Sequence, residues 1–382
     1  MNRDVANRRL RAGIVGGGQG SFIGAVHRIA VELDGQAEIV AGAMSTDPQR
    51  AETSAKSWFL RRSYNNFQQM AETEPGLQDG IDFVIIATPN NMHFPVAKAF
   101  LERGIHIVSD KPMSFTLEEA QEEVALVEKS NLIFALTHNY TGYPTVRQAR
   151  DLVRQGEIGD VRKVLVEYIQ DWLMEPVEQT GQKQAAWRTD PTRSGISGCV
   201  GDIGTHAENL LEFITGLKIS SLCADLSTFV EGRLLEDDAN MLLRLENGGK
   251  GILTCSQVAV GEENNLSIRV YGSKAGLEWH QMEPNTLLFK PAGRPHQIMR
   301  TGLPYMSENA QAAARLPAGH PEGFLEAFAN LYKMIIADIR RVEEGNKPMS
   351  GYPTVYDGLR GMQFVTKAVE SSQRGAVWVN MQ

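Results

Sequence analysis

The sequence predicts an α/β fold in two parts: an N-terminal doubly wound parallel sheet, then an α+β domain with a large, mostly antiparallel open sheet. Three observations predict it. Up to about Asn139, short apolar runs alternate with amphipathic stretches of helical period; the first of these runs ends in a cluster of glycines; beyond Asn139 the apolar runs follow one another with tight turns between them. Strands alternating with helices of ~10–14 residues imply βαβ units and parallel pairing, whereas consecutive strands imply antiparallel pairing. At roughly 150 residues per domain, 382 residues accommodate two or three.

The elements follow in order. Residues 12–16 form an apolar strand, after which Val26, Ile29, Ala30 and Leu33 recur at helical spacing. A second strand is expected over 38–44, and Asp47-Pro48 opens a helix with proline in its favoured first turn. Residues 81–88 read as a buried strand, 95–104 as a helix, 105–108 as a strand, and Thr116-Leu-Glu-Glu119 as a capping box before a helix. The strand 132–136 completes the set. In the second part, helices are expected at 144–155 and 202–215, and strands at 161–172, 219–229, 239–246, 251–258, 266–271 and 277–280, with Asn247-Gly248 a hairpin turn. Residues 291–320, with several Pro, Gly and Ala, read as a long surface loop. Helices return over 321–341 and 356–371 and are expected at the junction of the domains.

Charge and composition exclude some partners. Lys plus Arg total 38 against 46 Asp plus Glu, a net charge of −8, which argues against nucleic acid because such binding draws on cations facing phosphate. No run approaches the ~18 apolar residues that span a bilayer, and no signal-peptide pattern opens the chain. The expectation is a cytoplasmic protein with no membrane partner. Cys199, Cys223 and Cys255 are an odd number without CxxC spacing, so neither a disulfide framework nor a metal site is expected.

The turn Gly16-Gly17-Gly18-Gln19-Gly20-Ser21-Phe22-Ile23-Gly24 stands where a dinucleotide fingerprint belongs, after the first strand and opening the first helix. Glycines let the backbone approach a pyrophosphate, and the helix N-terminus supplies N–H donors and a positive dipole end. The spacing departs from GxGxxG, since Ser21 holds the third position after Gly18; taking Gly24 as the last glycine lengthens the loop by about three residues. Residues 1–140 are thus read as an NAD(P)-binding Rossmann domain and 141–382 as an α+β domain whose open sheet calls for a covering subunit. An acid at the end of the second strand would grip the ribose hydroxyls of NAD. Ser45, or alternatively Met44, holds that place with Arg50 close by, and Ser plus Arg without the acid suits the 2′-phosphate of NADP, while Asp47 can restore a preference for NAD. The expected cofactor is NAD or NADP, leaning to NADP.

Over essentially its whole length the chain resembles the glucose–fructose oxidoreductase/inositol dehydrogenase/MocA family. The resemblance rests on ordered motifs: Ile23-Gly24-Ala-Val-His27; Ala87-Thr88-Pro89-Asn90-Asn-Met-His93; Asp110-Lys111-Pro112, where the family usually has Glu-Lys-Pro; Gly156-Glu-Ile-Gly159; Trp187-Arg188-Thr-Asp-Pro191; and Gly201-Asp202-Ile-Gly-Thr-His206. It implies oxidation or reduction of a secondary alcohol on a sugar, glycoside or cyclitol, 141–382 as the substrate and oligomerisation domain, and a homodimer or homotetramer assembled through the C-terminal sheet. Residue by residue, Lys111 matches the active-site lysine and Asp202 and His206 the Asp–x–x–x–His pair. Thr88, Pro89, Asn90 and His93 match the segment passing the nicotinamide and its ribose, and Asp110, Lys111 and Pro112 belong to the same cofactor side.

The chemistry follows from the residue types. When hydride leaves a secondary alcohol, the hydroxyl proton must leave too, and a histidine of near-neutral pKa is the natural acceptor. Asp202 and His206, four apart at a helix start, share a face, so the carboxylate can orient the imidazole. A lysine at the carboxyl end of a parallel strand projects into the crevice where such sheets bind ligands, and its ammonium would stabilise the developing alkoxide. His206 is therefore read as general base, Lys111 as electrostatic clamp and Asp202 as orienter. Trp187 and Arg188 are candidates for the nicotinamide end or the substrate. Tyr140 at the domain junction, Trp172 as the floor of a sugar ring, and His320 after a lid-like loop are candidate substrate contacts. His27 reads as a packing residue. Two rival readings are a redox-neutral glycosidase that keeps NAD tightly bound, and a silent nucleotide- and sugar-binding sensor, which the intact Lys111, Asp202 and His206 set argues against.

Overall fold

Leu10, Ala12, Ile14 and Val15 are all buried in strand β1 (Leu10–Gly16), as expected of a parallel strand covered by helices on both faces. The computed structural model describes residues 8–381. In its first unit, β1 leads through α1 (Phe22–Glu32) to β2 (Ala37–Ala43), α2 (Pro48–Ser57), β3 (Arg62–Ser63), α3 (Phe67–Thr73), β4 (Phe83–Ala87), α4 (His93–Leu101), β5 (His106–Ser109), α5 (Leu117–Ser130) and β6 (Phe134–Leu136). The sheet order is β3-β2-β1-β4-β5-β6, every pair parallel. The order reverses between β1 and β4, so the crevice where such sheets bind ligands opens at the carboxyl ends of these two strands. There Gly16 pairs with Ala87. The capping box on α5 is present, Thr116 and Glu119 each satisfying the other's backbone.

The second unit begins with α6 (Pro144–Arg154) and β7 (Val161–Ile169), then short helices α7 (Lys183–Arg188) and α8 (Pro191–Ser194), a π-turn (Val200–Gly204) and α9 (Thr205–Thr215). Strands β8 (Ile219–Ser227), β9 (Asp238–Leu245), β10 (Lys250–Ser256), β11 (Asn265–Gly272), β12 (Ala275–His280), β13 (Thr286–Pro291) and β14 (Gln297–Arg300) follow, then α10 (Glu308–Ala312), α11 (Phe324–Glu343), α12 (Val355–Gln373) and β15 (Val379–Asn380). The nine strands lie in the order β14-β13-β12-β11-β7-β10-β9-β8-β15, antiparallel except for β7 with β10. The Asn247-Gly248 turn joins β9 to β10, with Gly248 at φ +87.

Three expectations change. The stretch 291–320 is not a plain loop: β14 pairs with β13 as an edge hairpin, and α10 follows. Its turn residues Pro291, Gly293 and Pro295 hide the strand signal, as is usual for edge strands. The helix expected from 202 opens as a π-turn. Residues 328–360, assigned from sequence to the second domain, cluster with the first: the units are the chain up to His138 with Phe328–Arg360, and Asn139–Ala327 with the segment from Gly361 onward. The contacts are specific, with Thr354 bridging Ala135, Glu343 meeting His106 at 3.2 Å and Tyr332 meeting His27 at 2.6 Å. Amphipathic helices carry no mark of which sheet they cover, so sequence places them by adjacency.

One face of the nine-stranded sheet packs on the core beneath α6 and α9. On the other, ladder pairing aligns Leu242, Ile252 and Leu165 in one row. Arg244, Lys250 and Lys163 form a basic row on one side of it, and Asp225, Asn240, Thr254 and Glu167 an acidic and polar row on the other. No helix among the described residues is long and apolar enough to cross a membrane.

Candidate active site

Steric demands shape the glycine turn. A Cβ on Gly24 would lie 2.1 Å from the Gly17 carbonyl oxygen and one on Gly18 2.7 Å from that of Met44, so Gly24, not Ser21, is the glycine that lets α1 approach the turn. Ser21 instead caps α1, its Oγ accepting from Gly24 N at 3.2 Å. A Cβ on Gly20, which sits at φ +83, would meet nothing within 4 Å, so there is open space along the turn. Gln19 N donates to Ser54 Oγ at 3.1 Å; Ile23 is half-buried and Phe22 exposed. After β2, Ser45 Oγ accepts from Asp47 N at 3.1 Å, and the Asp47 carboxylate caps α2 through Arg50 N at 2.9 Å. Arg50 itself is exposed.

Across the switch point, the Thr88 hydroxyl oxygen is buried with no hydrogen-bond partner among the described residues. Pro89 and Asn90 begin a tight turn that leads into α4. His93 is buried, with Nε2 2.9 Å from the Thr88 carbonyl and Nδ1 2.7 Å from that of Pro112. It therefore ties the Thr88 turn to the Lys111–Pro112 turn from behind, both ring nitrogens facing protein carbonyls; burial holds its pKa down. Asp110 Oδ1 accepts from the Thr137 hydroxyl at 2.9 Å, and Lys111 is half-buried. Burial and the Lys111 ammonium lower the pKa of neighbouring His138 to about 3, keeping it neutral.

In the second unit, Asp202 rides on the π-turn, an irregularity frequent at functional sites, and His206 lies in the first turn of α9. Asp202 Oδ2 accepts from Arg188 Nε at 3.1 Å and Gln257 Nε2 at 2.8 Å. The Arg188 guanidinium lies 4.2 Å from the Trp187 ring centroid and 5.8 Å from that of Trp172, and donates to Gln184 Oε1 at 2.8 Å. His206 is buried edge-on against Tyr140 at 4.9 Å and Tyr168 at 6.0 Å.

The structure thus brings Trp172, Trp187, Arg188 and Asp202 into one cluster and Tyr140 onto His206. Tyr140 differs from the expectation of a substrate-facing hydroxyl: it is 3% exposed and its hydroxyl is bonded to Tyr168 and Asn264 inside the protein. His320 stands apart, exposed in a turn where Nδ1 meets the Pro317 carbonyl at 3.1 Å. Sequence reasoning misses Gln257, Gln184, Tyr168, Gln170 and Asn264. The one available signal is a polar residue at the end of an apolar strand run, as at Gln257 after β10. No group of three or more metal-ligating side chains occurs among the described residues.

Comparisons with known proteins match both halves of the chain. Residues 10–138 match an oxidoreductase family with an NAD-binding Rossmann fold, and residues 146–278 match the GFO/IDH/MocA C-terminal domain. An oxidoreductase of known structure from Sinorhizobium meliloti is 46% identical, with a TM-score of 0.87 covering 97% of this chain and 99% of that one. An inositol dehydrogenase homologue from Azotobacter vinelandii, in complex with NAD+, is 36% identical with a TM-score of 0.93 over 98% of both chains. With NADH and myo-inositol it aligns at 34% identity and a TM-score of 0.91 over 99% of both. The oxidoreductase YfiI of Bacillus subtilis is 36% identical over 98% of each chain. Matched in both halves and aligned end to end with such relatives, the chain belongs to the GFO/IDH/MocA oxidoreductases, a family of NAD(P)-dependent dehydrogenases of the sugar and inositol type.

Proposed function

We propose that the protein transfers hydride between a nicotinamide cofactor and a secondary hydroxyl or ketone of a sugar, glycoside or cyclitol. The observation that carries this reading is the Asp202–His206 pair on one π-turn and helix, its carboxylate gripped by Arg188 and Gln257. In the oxidising direction His206 takes the hydroxyl proton of the alcohol. Asp202 orients the imidazole and stabilises its protonated form; Arg188 and Gln257 hold that carboxylate in place. Lys111 stabilises negative charge on the substrate oxygen. Trp172 offers a flat apolar face to a sugar ring. The structural relative that binds NADH and myo-inositol supports a cyclitol or a related polyol as substrate.

The residues of the first unit fit a dinucleotide. The glycine turn and the N-terminus of α1 form a cradle with open space at Gly20, and the buried Thr88 hydroxyl lacks a protein partner among the described residues. When bound, NAD(P)+ supplies the hydride acceptor. Gly16, Gly18, Gln19, Gly20 and Ser21 would hold the pyrophosphate, and Thr88, Pro89 and Asn90 the nicotinamide side. Exposed Arg50 beside Ser45 supports NADP over NAD, because the Asp47 carboxylate is used as a helix cap. A second copy is proposed to cover the open face of the C-terminal sheet. A two-fold axis along the Leu242-Ile252-Leu165 row sets each basic row opposite the other copy's acidic row, and the bare apolar stripe then closes on itself.

A spectrophotometric screen of sugars, glycosides and cyclitols with NAD and NADP in parallel tests the reading. Turnover lost in both Lys111→Ala and His206→Ala supports it; near wild-type turnover in either overturns that residue's role. Purified protein that carries cofactor absorbance yet yields no net NADH would point to the redox-neutral glycosidase instead.

A further inference from the structure

Beyond the residues that meet substrate, a closed hydrogen-bond ring sits behind His206. Tyr140 and Tyr168 are both buried, and burial pushes both phenol pKa values up, so each keeps its proton. Tyr168 donates that proton to Asn264 Oδ1 at 2.8 Å. The two phenolic oxygens lie 2.5 Å apart; with the Tyr168 proton committed, Tyr140 is the donor between them. Asn264 Nδ2 then donates back to the Tyr140 oxygen at 3.3 Å. Each of the three groups gives one hydrogen bond and receives one around the ring, an arrangement in which the bonds polarise and strengthen one another. The two phenol rings it holds are the ones packed edge-on against His206, at 4.9 and 6.0 Å. The charged groups on the histidine's own helix are the buried Glu208 and Glu212, the latter accepting from Lys218 Nζ and Ile219 N, and Asp202 on the preceding π-turn is paired with Arg188.

The ring also has an arm. Gln170 Nε2 donates to Asn264 Oδ1 at 2.6 Å, and Gln170 Oε1 accepts the Trp172 indole N–H at 3.1 Å. Backbone pairing fixes these partners, because Asn265 of β11 lies opposite Ile169 of β7 and the next step along the ladder sets Asn264 beside Gln170.

We propose that Asn264 is a positioning residue for the reaction: it locks the Tyr140 and Tyr168 rings that orient His206 and couples them, through Gln170, to the Trp172 floor. The proposal rests on the assignment of His206 as base. It is a role for a residue that never touches the substrate, so its effect falls on turnover and on the titration of His206 rather than on binding. In Asn264→Leu, kcat falls about tenfold while KM for the alcohol changes by less than about threefold, and the acid limb of kcat/KM moves by about half a pH unit. Asn264→Asp keeps the acceptor oxygen for Tyr168 and Gln170 and recovers part of kcat. An unchanged far-ultraviolet circular dichroism spectrum and thermal midpoint show that both variants are folded. Nitrogen-15 histidine spectra, with His206 assigned by its loss in His206→Asn, give a readout independent of turnover: the His206 resonances and midpoint move in Asn264→Leu. If kcat, pH profile and His206 titration all match wild type, the proposal is overturned. If no alcohol in the screen is oxidised, the functional reading fails by itself, and the His206 spectra alone still decide whether Asn264 positions the ring.

Discussion

Replacing His27 with leucine probes a buried titration that links α1 to α11. His27 is fully buried, with Nδ1 2.6 Å from the Tyr332 hydroxyl and its ring edge-on to Phe328 at 5.2 Å. Its Nε2 has no hydrogen-bond partner among the described residues. Burial lowers its pKa to about 4, with Asp110 opposing, against about 6.5 in an unfolded chain. The sign follows: between these values the unfolded chain binds a proton that the folded chain refuses, so the stability is complete above pH 6.5 and is lost as pH falls toward 4. A difference of about 2.5 units at 1.36 kcal/mol each amounts to about 3 kcal/mol by pH 4. His27→Leu removes this titration and costs about 1 kcal/mol at neutral pH for the lost Tyr332 hydrogen bond. His138, also depressed, titrates in both proteins and drops out of the difference. The assay is urea unfolding from pH 7.5 to 4, followed by hydrogen exchange in β1 and β4. The variant, less stable at pH 7.5, overtakes wild type on acidification. Curves that stay parallel across that range would refute the reasoning.

Four further outcomes follow. Gly24→Ala forces a Cβ to 2.1 Å from the Gly17 carbonyl; at an overpacking cost of about 1–3 kcal/mol, calorimetry should find NADH affinity reduced about tenfold or more although alanine is the better helix former. Arg50→Ala should weaken NADPH about fivefold relative to NADH in fluorescence titration, as expected for loss of one exposed charge contact of about 1 kcal/mol; equal loss for both cofactors would refute the assignment of Ser45 and Arg50. Arg188→Ala removes a donor on Asp202 Oδ2 and leaves that from Gln257, and kcat/KM should fall about tenfold, read from initial rates across pH. Leu242→Asp puts a charge in the apolar row of the sheet, and light scattering should show a smaller assembly than wild type, whereas an unchanged mass removes the proposed interface.

Where the fold is legible, a local pattern carries it. The strand 83–87 follows from an unbroken apolar run, the α5 start from its capping box, and the β9–β10 turn from Asn247-Gly248; all three are present. What is illegible depends on partners distant in the chain. Nothing in the amphipathic pattern of α11 says that Tyr332 meets His27 across 305 positions, and the edge strand β14, more exposed than buried, has too weak an alternation to stand out among prolines and glycines.

The candidate site divides along the same line. Asp202 and His206 are nominated by a local signal, four positions apart at an expected helix start, and the structure sets Asp202 on the π-turn and His206 in the first turn of α9. The groups that fix them are not: Arg188 reaches Asp202 across 14 positions, Gln257 across 55, and Asn264 reaches Tyr168 across 96 and Tyr140 across 124. Tyr140 shows the consequence. Its place after β6 suggests a hydroxyl offered to substrate, but a buried phenol with a neighbouring acceptor settles its proton there; Tyr168 of β7 supplies that acceptor, and Asn264, just before β11, donates in return. Spacing alone can therefore nominate the proposed acid and base pair. The orientation of the base depends on contacts that only the folded sheet assembles, and substitutions at Asn264 and Gln170 should alter turnover while leaving every recognisable motif intact.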